Sequence, residues 1–235
     1  MALLQKHAMK WFTALFDSLI RVYCLSTLIV FSPVSSADEV EELSVTEADG
    51  EYTLRIVSIL DAPADYVYDV ITDYKHAYRI NPSITKVEIL PSDHDDVVRM
   101  RDVSEHCVGP FCFTINWVGD FLETRKGDIK VTTVPEFSNF ESGSAIWKIR
   151  SRGQHTWVLH ESRLIPDFFI PPVLGSTILK NKMRTETLAT FKRIECQAII
   201  MLERDMSSGT ELLNELSEEG KDCINQVDMA ANMSP

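Results

Sequence analysis

The chain lacks a glycine-rich phosphate loop: Gly175-Ser176-Thr177 has neither the preceding glycine nor the lysine that such a loop needs. It also lacks any excess of positive charge. Lysine and arginine number 23 against 35 aspartates and glutamates, a formal net charge of −12, and no Lys/Arg cluster offsets this locally. Nucleic acid is thereby excluded as a partner, as is adhesion to an anionic membrane through bulk charge. No two histidines stand at metal-ligand spacing on a recognisable element, so neither a metal nor another cofactor is expected. No Ser/His/Asp order argues for nucleophilic catalysis.

No stable membrane span is expected either. Lys6 and Lys10 precede the uncharged apolar run Val22–Phe31, and Ser35-Ser36-Ala37 follows with small residues where a signal peptidase reads. The run is short of the roughly 20 residues a spanning helix takes. Residues 1–37 therefore read as a cleaved secretory signal, and the mature chain as secreted or periplasmic. An oxidising compartment permits disulfides. Cys107 and Cys112 flank the turn Val108–Phe111, which brings them within bridging reach if the flanking strands pair. Cys196 and Cys223 form a second candidate pair, tying the tail to the preceding helix.

What is present is an ordinary folded composition, 45% hydrophobic and 25% charged. Residues 38–50 read as an acidic, solvated lead-in, and the folded domain as residues 51–203. Glu51–Leu60 is rich in β-formers and makes a first strand. Asp61-Ala62-Pro63 stops it and opens a helix with Val67, Val70 and Ile71 on its apolar side. Asp61, Asp65, Asp69 and Asp73 recur every fourth residue and read as a solvated helix face. A short helix, Tyr74–Ile80, ends at Asn81-Pro82. Strands follow at Ile84–Leu90, Val97–Cys107, Cys112–Glu123, Ile129–Val134, Ala145–Arg150 and Thr156–Ile165, with residues 135–143 as a loop. In Cys112–Glu123 the alternation is clear: Phe113, Ile115, Trp117 and Phe121 fall on one side, Thr114, Asn116 and Asp120 on the other. The pattern is α+β, a curved antiparallel sheet wrapped round a terminal helix.

That helix opens at Pro171 or Pro172 and runs to about Glu203. At 100° per residue, one stripe carries Val173, Thr177, Lys180, Arg184, Thr187, Phe191, Ala198 and Leu202. Its second half is apolar; its first half carries two cations and two hydroxyls. Either Lys180 and Arg184 snorkel to water, or this half faces a cavity in which Arg184 meets a ligand or a strand carboxylate. On the last strand, Trp157, Leu159, Glu161 and Arg163 share a phase. If Trp157 points inward, Glu161 does too and pairs with Arg184; a bulge would instead place Glu161 in water. The five histidines after the signal, His76, His94, His106, His155 and His160, read singly as surface or satisfied side chains. Residues 204–235 read as a polar tail with a possible short helix around Leu212, Leu213 and Leu216.

The opening Leu60-Asp-Ala-Pro-Ala-Asp-Tyr-Val-Tyr-Asp-Val-Ile-Thr-Asp-Tyr74, then Asn81-Pro82-Ser-Ile and Lys86-Val-Glu-Ile-Leu90, resembles that of the polyketide cyclase/dehydrase and coenzyme Q-binding START-like (SRPBCC) family. The close, Thr156 to Arg163 followed by Pro166, Pro171 and the long helix, is similar to that family's close. The resemblance implies a helix-grip fold, in which a curved antiparallel sheet and a C-terminal helix enclose a hydrophobic cavity. It also implies a partner that is a hydrophobic small molecule or lipid, since members bind lipids, quinones or polyketides. Some members cyclise their ligand and many only carry it. The family has no universal catalytic motif, so none transfers to this chain. The expected cavity residues are Phe113, Ile115, Trp117, Trp157, Glu161, Thr177, Arg184 and Phe191. For an enzyme acting on such a ligand, the candidate acid/base is Glu161, with Arg184 as its electrostatic partner. In a third reading the protein acts through its surface and acidic tail.

Overall fold

The computed structural model describes residues 39–206, apart from 93, 109–110, 126 and 171–174, together with Cys223; of residues 39, 107, 108, 111 and 113 it describes the backbone alone. The expected signal segment and the short tail helix lie outside the described residues. Among the described residues there are eight strands: β1 Glu39–Ala48, β2 Glu51–Leu60, β3 Ile84–Leu90, β4 Val97–Val108, β5 Phe111–Arg125, β6 Asp128–Thr133, β7 Phe140–Arg152 and β8 His155–Pro166. They form one antiparallel sheet in the order β1-β2-β8-β7-β6-β5-β4-β3. Helix α1, Ala64–Thr72, and a 3-10 segment, Tyr74–Arg79, lie between β2 and β3, and helix α2, Gly175–Met206, follows β8. Chain neighbours pair everywhere except at β2–β8, the junction that joins the first hairpin to the rest.

Two segments differ from the sequence reading. The acidic stretch expected as a lead-in is the edge strand β1. Leu43 and Val45 turn toward the core while Glu42 reaches Arg55 of β2 at 3.1 Å. Carboxylates on the wet side of an edge strand cost little, and two inward apolar residues suffice to seat it. Strand β7 begins at Phe140, within the expected loop; only Pro135–Phe137 forms a 3-10 turn. A bulge between Phe140 and Ser142 breaks the alternation there and hides the strand from a period-two reading.

The core explains how the helices sit. Along β2, Leu54, Ile56 and Leu60 are buried on one face, and Val158 of β8 and Ile149 of β7 join them. Val67, Val70 and Ile71 of α1 pack against this cluster, as do Phe191, Ile194, Ala198 and Ile199 of α2. The second half of α2 is so enclosed that Arg193 and Glu195 are buried too. Glu195 accepts the backbone N–H of Asp61 at 2.6 Å and the ammonium of Lys192 at 2.9 Å. Thr156 of β8 donates its buried hydroxyl to the Ala62 carbonyl at 2.6 Å. The turn between β2 and α1 is thus gripped from helix and sheet at once. A disulfide joins Cys196 to Cys223, with Cα atoms 5.5 Å apart.

Two stability outcomes follow. Glu195→Ala strands a buried N–H and an ammonium, and is expected to cost about 2 kcal/mol in urea unfolding. Cys223→Ser opens a link between residues 27 positions apart and is expected to cost about 3 kcal/mol by the same measurement under oxidising conditions.

Candidate functional site

The first half of α2 does not pack flush on the sheet. A cavity of about 390 Å³ lies between sheet, 3-10 segment and helix. A second space of about 210 Å³ adjoins it under α2 and shares Asn81, Trp147, His160, Ser162 and Glu186 with it. The apolar lining comes chiefly from Ile115, Trp117 and Phe121 of β5, Ile129 and Val131 of β6, and Trp147 of β7. Met183, Thr187, Thr190 and Phe191 close the second space from α2.

The aromatic walls are fixed by contacts the sequence supplies. Trp117 donates its indole N–H to the Thr133 hydroxyl at 3.0 Å and meets Phe121 edge-on, with centroids 5.8 Å apart. The ring folds back over Gly119, where any Cβ would collide with it. Phe121 in turn touches Tyr74 at 4.6 Å. Tyr74 and Tyr68 both donate to the Glu123 carboxylate, and burial heads the causes that push the Tyr68 phenol up to about 12. On the other wall Trp147 lies between His160, stacked at 4.0 Å, and Phe191, stacked at 5.7 Å.

One end of the cavity is polar. Met100, Asp102, Ser104 and His106 project inward from alternate positions of β4. His106 Nδ1 donates to Glu186 Oε1 of α2 at 3.1 Å, and its Nε2 meets the Ser104 hydroxyl at 3.0 Å. Lys182 reaches the same carboxylate oxygen at 2.9 Å and the Ser83 hydroxyl lies 3.4 Å from it. Burial works to raise the Glu186 carboxyl, but the His106 and Lys182 hydrogen bonds outweigh it and hold the group below the usual range. Glu186 is therefore ionised, and as an acceptor it fixes the proton on His106 Nδ1. Asp102 has no such help. Among the described residues no group hydrogen-bonds its carboxyl, and burial lifts it to about 7 against an opposing pull from His106. Burial lowers His160 to about 4, with the Ile146 backbone pulling the other way, so its ring is neutral near pH 7. Its Nδ1 is buried with no hydrogen-bond partner among the described residues.

The structure brings together some of the expected residues and separates others. Ile115 and Trp117 line the main cavity and Phe191 the adjoining space. Phe113 shares their strand phase, opposite His106; its side chain lies outside the described residues. Trp157 and Glu161 do not face the cavity. The inward residues of β8 are Val158, His160, Ser162 and Leu164, so Glu161 is on the outer face, paired with Arg55 at 3.0 Å and Arg163 at 3.7 Å. Trp157 is half-buried there, between Ile59 of β2 and Arg150 of β7 in the ladder. This removes Glu161 as an acid/base for cavity chemistry. Arg184 is exposed and donates to the Leu43 carbonyl of edge strand β1 at 3.3 Å, and Thr177 is exposed as well. The cavity-facing side of α2 is Met183, Glu186, Thr187 and Thr190, about a quarter-turn from a stripe centred on Phe191. Cys107 and Cys112 are direct ladder partners, and Cys112 is disulfide-bonded; the Cys107 side chain lies outside the described residues. Among the described residues no cluster of His, Cys, Asp or Glu is arranged to hold a metal ion, and no helix is long and apolar enough to cross a membrane.

Sequence reasoning missed Asp102, Ser104, His106, Trp147, His160 and Glu186. A signal for the first three was available. Pairing Cys107 with Cys112 sets the β4–β5 register and places Asp102 opposite Trp117, Ser104 opposite Ile115 and His106 opposite Phe113. The inward phase of β5 therefore assigns the inward phase of β4.

The Asp102 environment has a consequence for stability. The folded chain keeps this proton to about pH 7, whereas the unfolded chain releases it near the ordinary aspartate value of about 4. The contribution of this group therefore declines as pH rises through that window. Asp102→Asn is expected to flatten that part of the pH profile and to raise stability at alkaline pH by about 2 kcal/mol, read from urea unfolding across the range.

Comparison with known proteins agrees with this geometry. Residues 60–191 match the family model described as polyketide cyclase/dehydrase and lipid transport. No curated protein matches in sequence. Among solved structures, the chain is similar to the Zhui aromatase/cyclase from Streptomyces sp. R1128, at 16% identity and TM-score 0.55, over 68% of this chain and 99% of that one. It is similar to TTHA0849 from Thermus thermophilus, at 14% identity and TM-score 0.52, over 63% and 98%. Human STARD10 is a third, at 10% identity and TM-score 0.51, over 71% and 76%. At these identities the likeness is one of fold: the START-like helix grip. With the family model covering more than half its length, the chain belongs to the polyketide cyclase/dehydrase and lipid transport family.

Proposed function

We propose that this protein is an exported binding or transport protein that holds a hydrophobic ligand between its sheet and its C-terminal helix. The ligand is a lipid, an isoprenoid quinone or a polyketide-like molecule. The observation that carries this reading is the cavity itself: about 390 Å³ with aromatic and aliphatic walls and a few polar groups gathered at one end. Pockets for small ligands have this composition, with apolar walls for affinity and few polar groups for orientation. Membership of the polyketide cyclase/dehydrase and lipid transport family supports it. The basic-then-apolar start of the chain and Ser35-Ser36-Ala37 support export.

An enzyme acting on such a ligand is the second reading. One observation favours it: Asp102 and His106 place two proton-exchanging groups on the wall of an otherwise apolar space. A ligand recovered unchanged after prolonged incubation with the protein counts for the carrier. Conversion that stops in Asp102→Asn while binding persists counts for the enzyme.

Native mass spectrometry of the protein purified from its own host is expected to show a co-purifying apolar molecule, and N-terminal sequencing a start near Asp38. An empty protein, or one that starts at Met1 or Met9, counts against the respective half of the reading. Ala145 lines the cavity, so Ala145→Phe grows into open space. In a packed interior such overfilling costs about 1–3 kcal/mol. Here it is expected to leave the unfolding midpoint nearly unchanged and to weaken ligand binding at least tenfold.

A further inference from the structure

We propose that the cavity selects an uncharged amphiphile whose polar end is a hydroxyl or carbonyl oxygen, and turns away carboxylates and phosphates, through the group Asp102, Ser104 and His106–Glu186. This rests on the hydrophobic-ligand reading and narrows it to a chemical class. The first ground is the charge of the wall. Among the described residues no lysine or arginine lines either part of the cavity, while Asp102 and Glu186 both do. Lys182 is the cation at hand, and it is already committed to Glu186, as is the Nδ1 proton of His106. An anionic head would enter without a partner and beside an ionised carboxylate. Burying an unpaired charge costs several kcal/mol, a penalty that a neutral head on the same tail escapes.

The second ground is the state of Asp102. It sits directly across the ladder from Trp117, at the boundary between aromatic wall and polar end. Its half-buried carboxyl lines the cavity and has no hydrogen-bond partner among the described residues, so it is free to meet a polar ligand atom there. Protonated, it donates to a carbonyl or ether oxygen; ionised, it accepts from a hydroxyl. Either way it serves a neutral oxygen. Ser104 adds a hydroxyl two residues along the same strand face. At the far wall His160 is neutral and stacked on Trp147, so it presents an aromatic surface and no positive charge. The third ground is size. The main space and its extension, about 390 and 210 Å³, fall within the range of pockets for single drug-sized molecules, about 300–1,000 Å³. One compact chain or ring system fits this description.

Titration calorimetry of the purified mature protein at pH 7.5 with decan-1-ol, decanoate and decylamine separates the possibilities, because the three share one tail. Decanol is expected to bind at least tenfold tighter than decanoate and tighter than decylamine. Glu186→Gln, nearly isosteric, leaves Lys182 without its counter-charge at the polar end, and is expected to shrink or reverse the alcohol-over-carboxylate preference. Decanoate binding as well as decanol to the wild type overturns the proposal and leaves the hydrophobic-ligand reading standing. So does decylamine binding tightest, which would make Asp102 a cation site. Loss of preference in Asp102→Leu but not in Glu186→Gln overturns the role given to Glu186. Failure of all three tails to bind defeats the hydrophobic-ligand reading, and this proposal with it.

Discussion

A single buried carboxylate decides where the long helix is anchored and where it is free to stand away from the sheet. Glu195 accepts the N–H of Asp61 from inside the core, and Thr156 holds the next residue of that turn from the sheet side. Around this clamp the helix is enclosed, with Phe191, Ile194, Ala198 and Ile199 in contact with α1 and the inner strands. Toward its N-terminus Glu186, Lys182 and threonines replace most of the apolar residues, and that half meets the sheet at separate points, Arg184 on the Leu43 carbonyl and Glu186 on His106, with the cavity between. The hollow is the consequence. One half of α2 gains stability by packing, and the other half leaves space for a guest.

The polar end of the cavity follows from the same division. A carboxylate on the inner side of a helix must find partners, and Glu186 finds them in His106 across the gap and Lys182 one turn back. This tie bridges helix and strand β4 without closing the space between them. It also uses up the positive charge within reach, which leaves Asp102 as the polar group with capacity to spare. The interior of this family member is thus set less by its aromatic walls than by the balance of four titratable side chains.

Much of the architecture is legible in the sequence because it rests on local rules. Pro63 before α1, the turn residues between strands and the alternation in β5 each point to one structure, and they agree with one another. Strand β1 is not legible because its glutamates outnumber its two inward apolar residues, and composition hides the pattern. The facing of β8 is not legible because both of its faces are mixed: Trp157 and Leu159 stand outside, Val158 and His160 inside. A tryptophan is a poor guide to the interior when the neighbouring strand offers Ile59 and Val57 as cover on the outside. The helix stripe fails for a different reason. Its angular centre belongs to the packed half, whereas the hollow half turns a different flank toward the sheet.

Among the described residues the sheet is open, and β1 is one of its two rims. A rim strand offers its unpaired backbone to any passing strand, including its own copy. Here the rim carries Glu39, Glu41, Glu42 and Glu47 within ten residues, and Arg184 already occupies the Leu43 carbonyl. Glu42 is paired with Arg55 and Glu41 with Arg152, yet two such rims brought side by side would still set carboxylates against carboxylates at both ends of the strand. The stretch least recognisable as a strand is therefore built to discourage stacking, guarding the sheet against extension by its own kind.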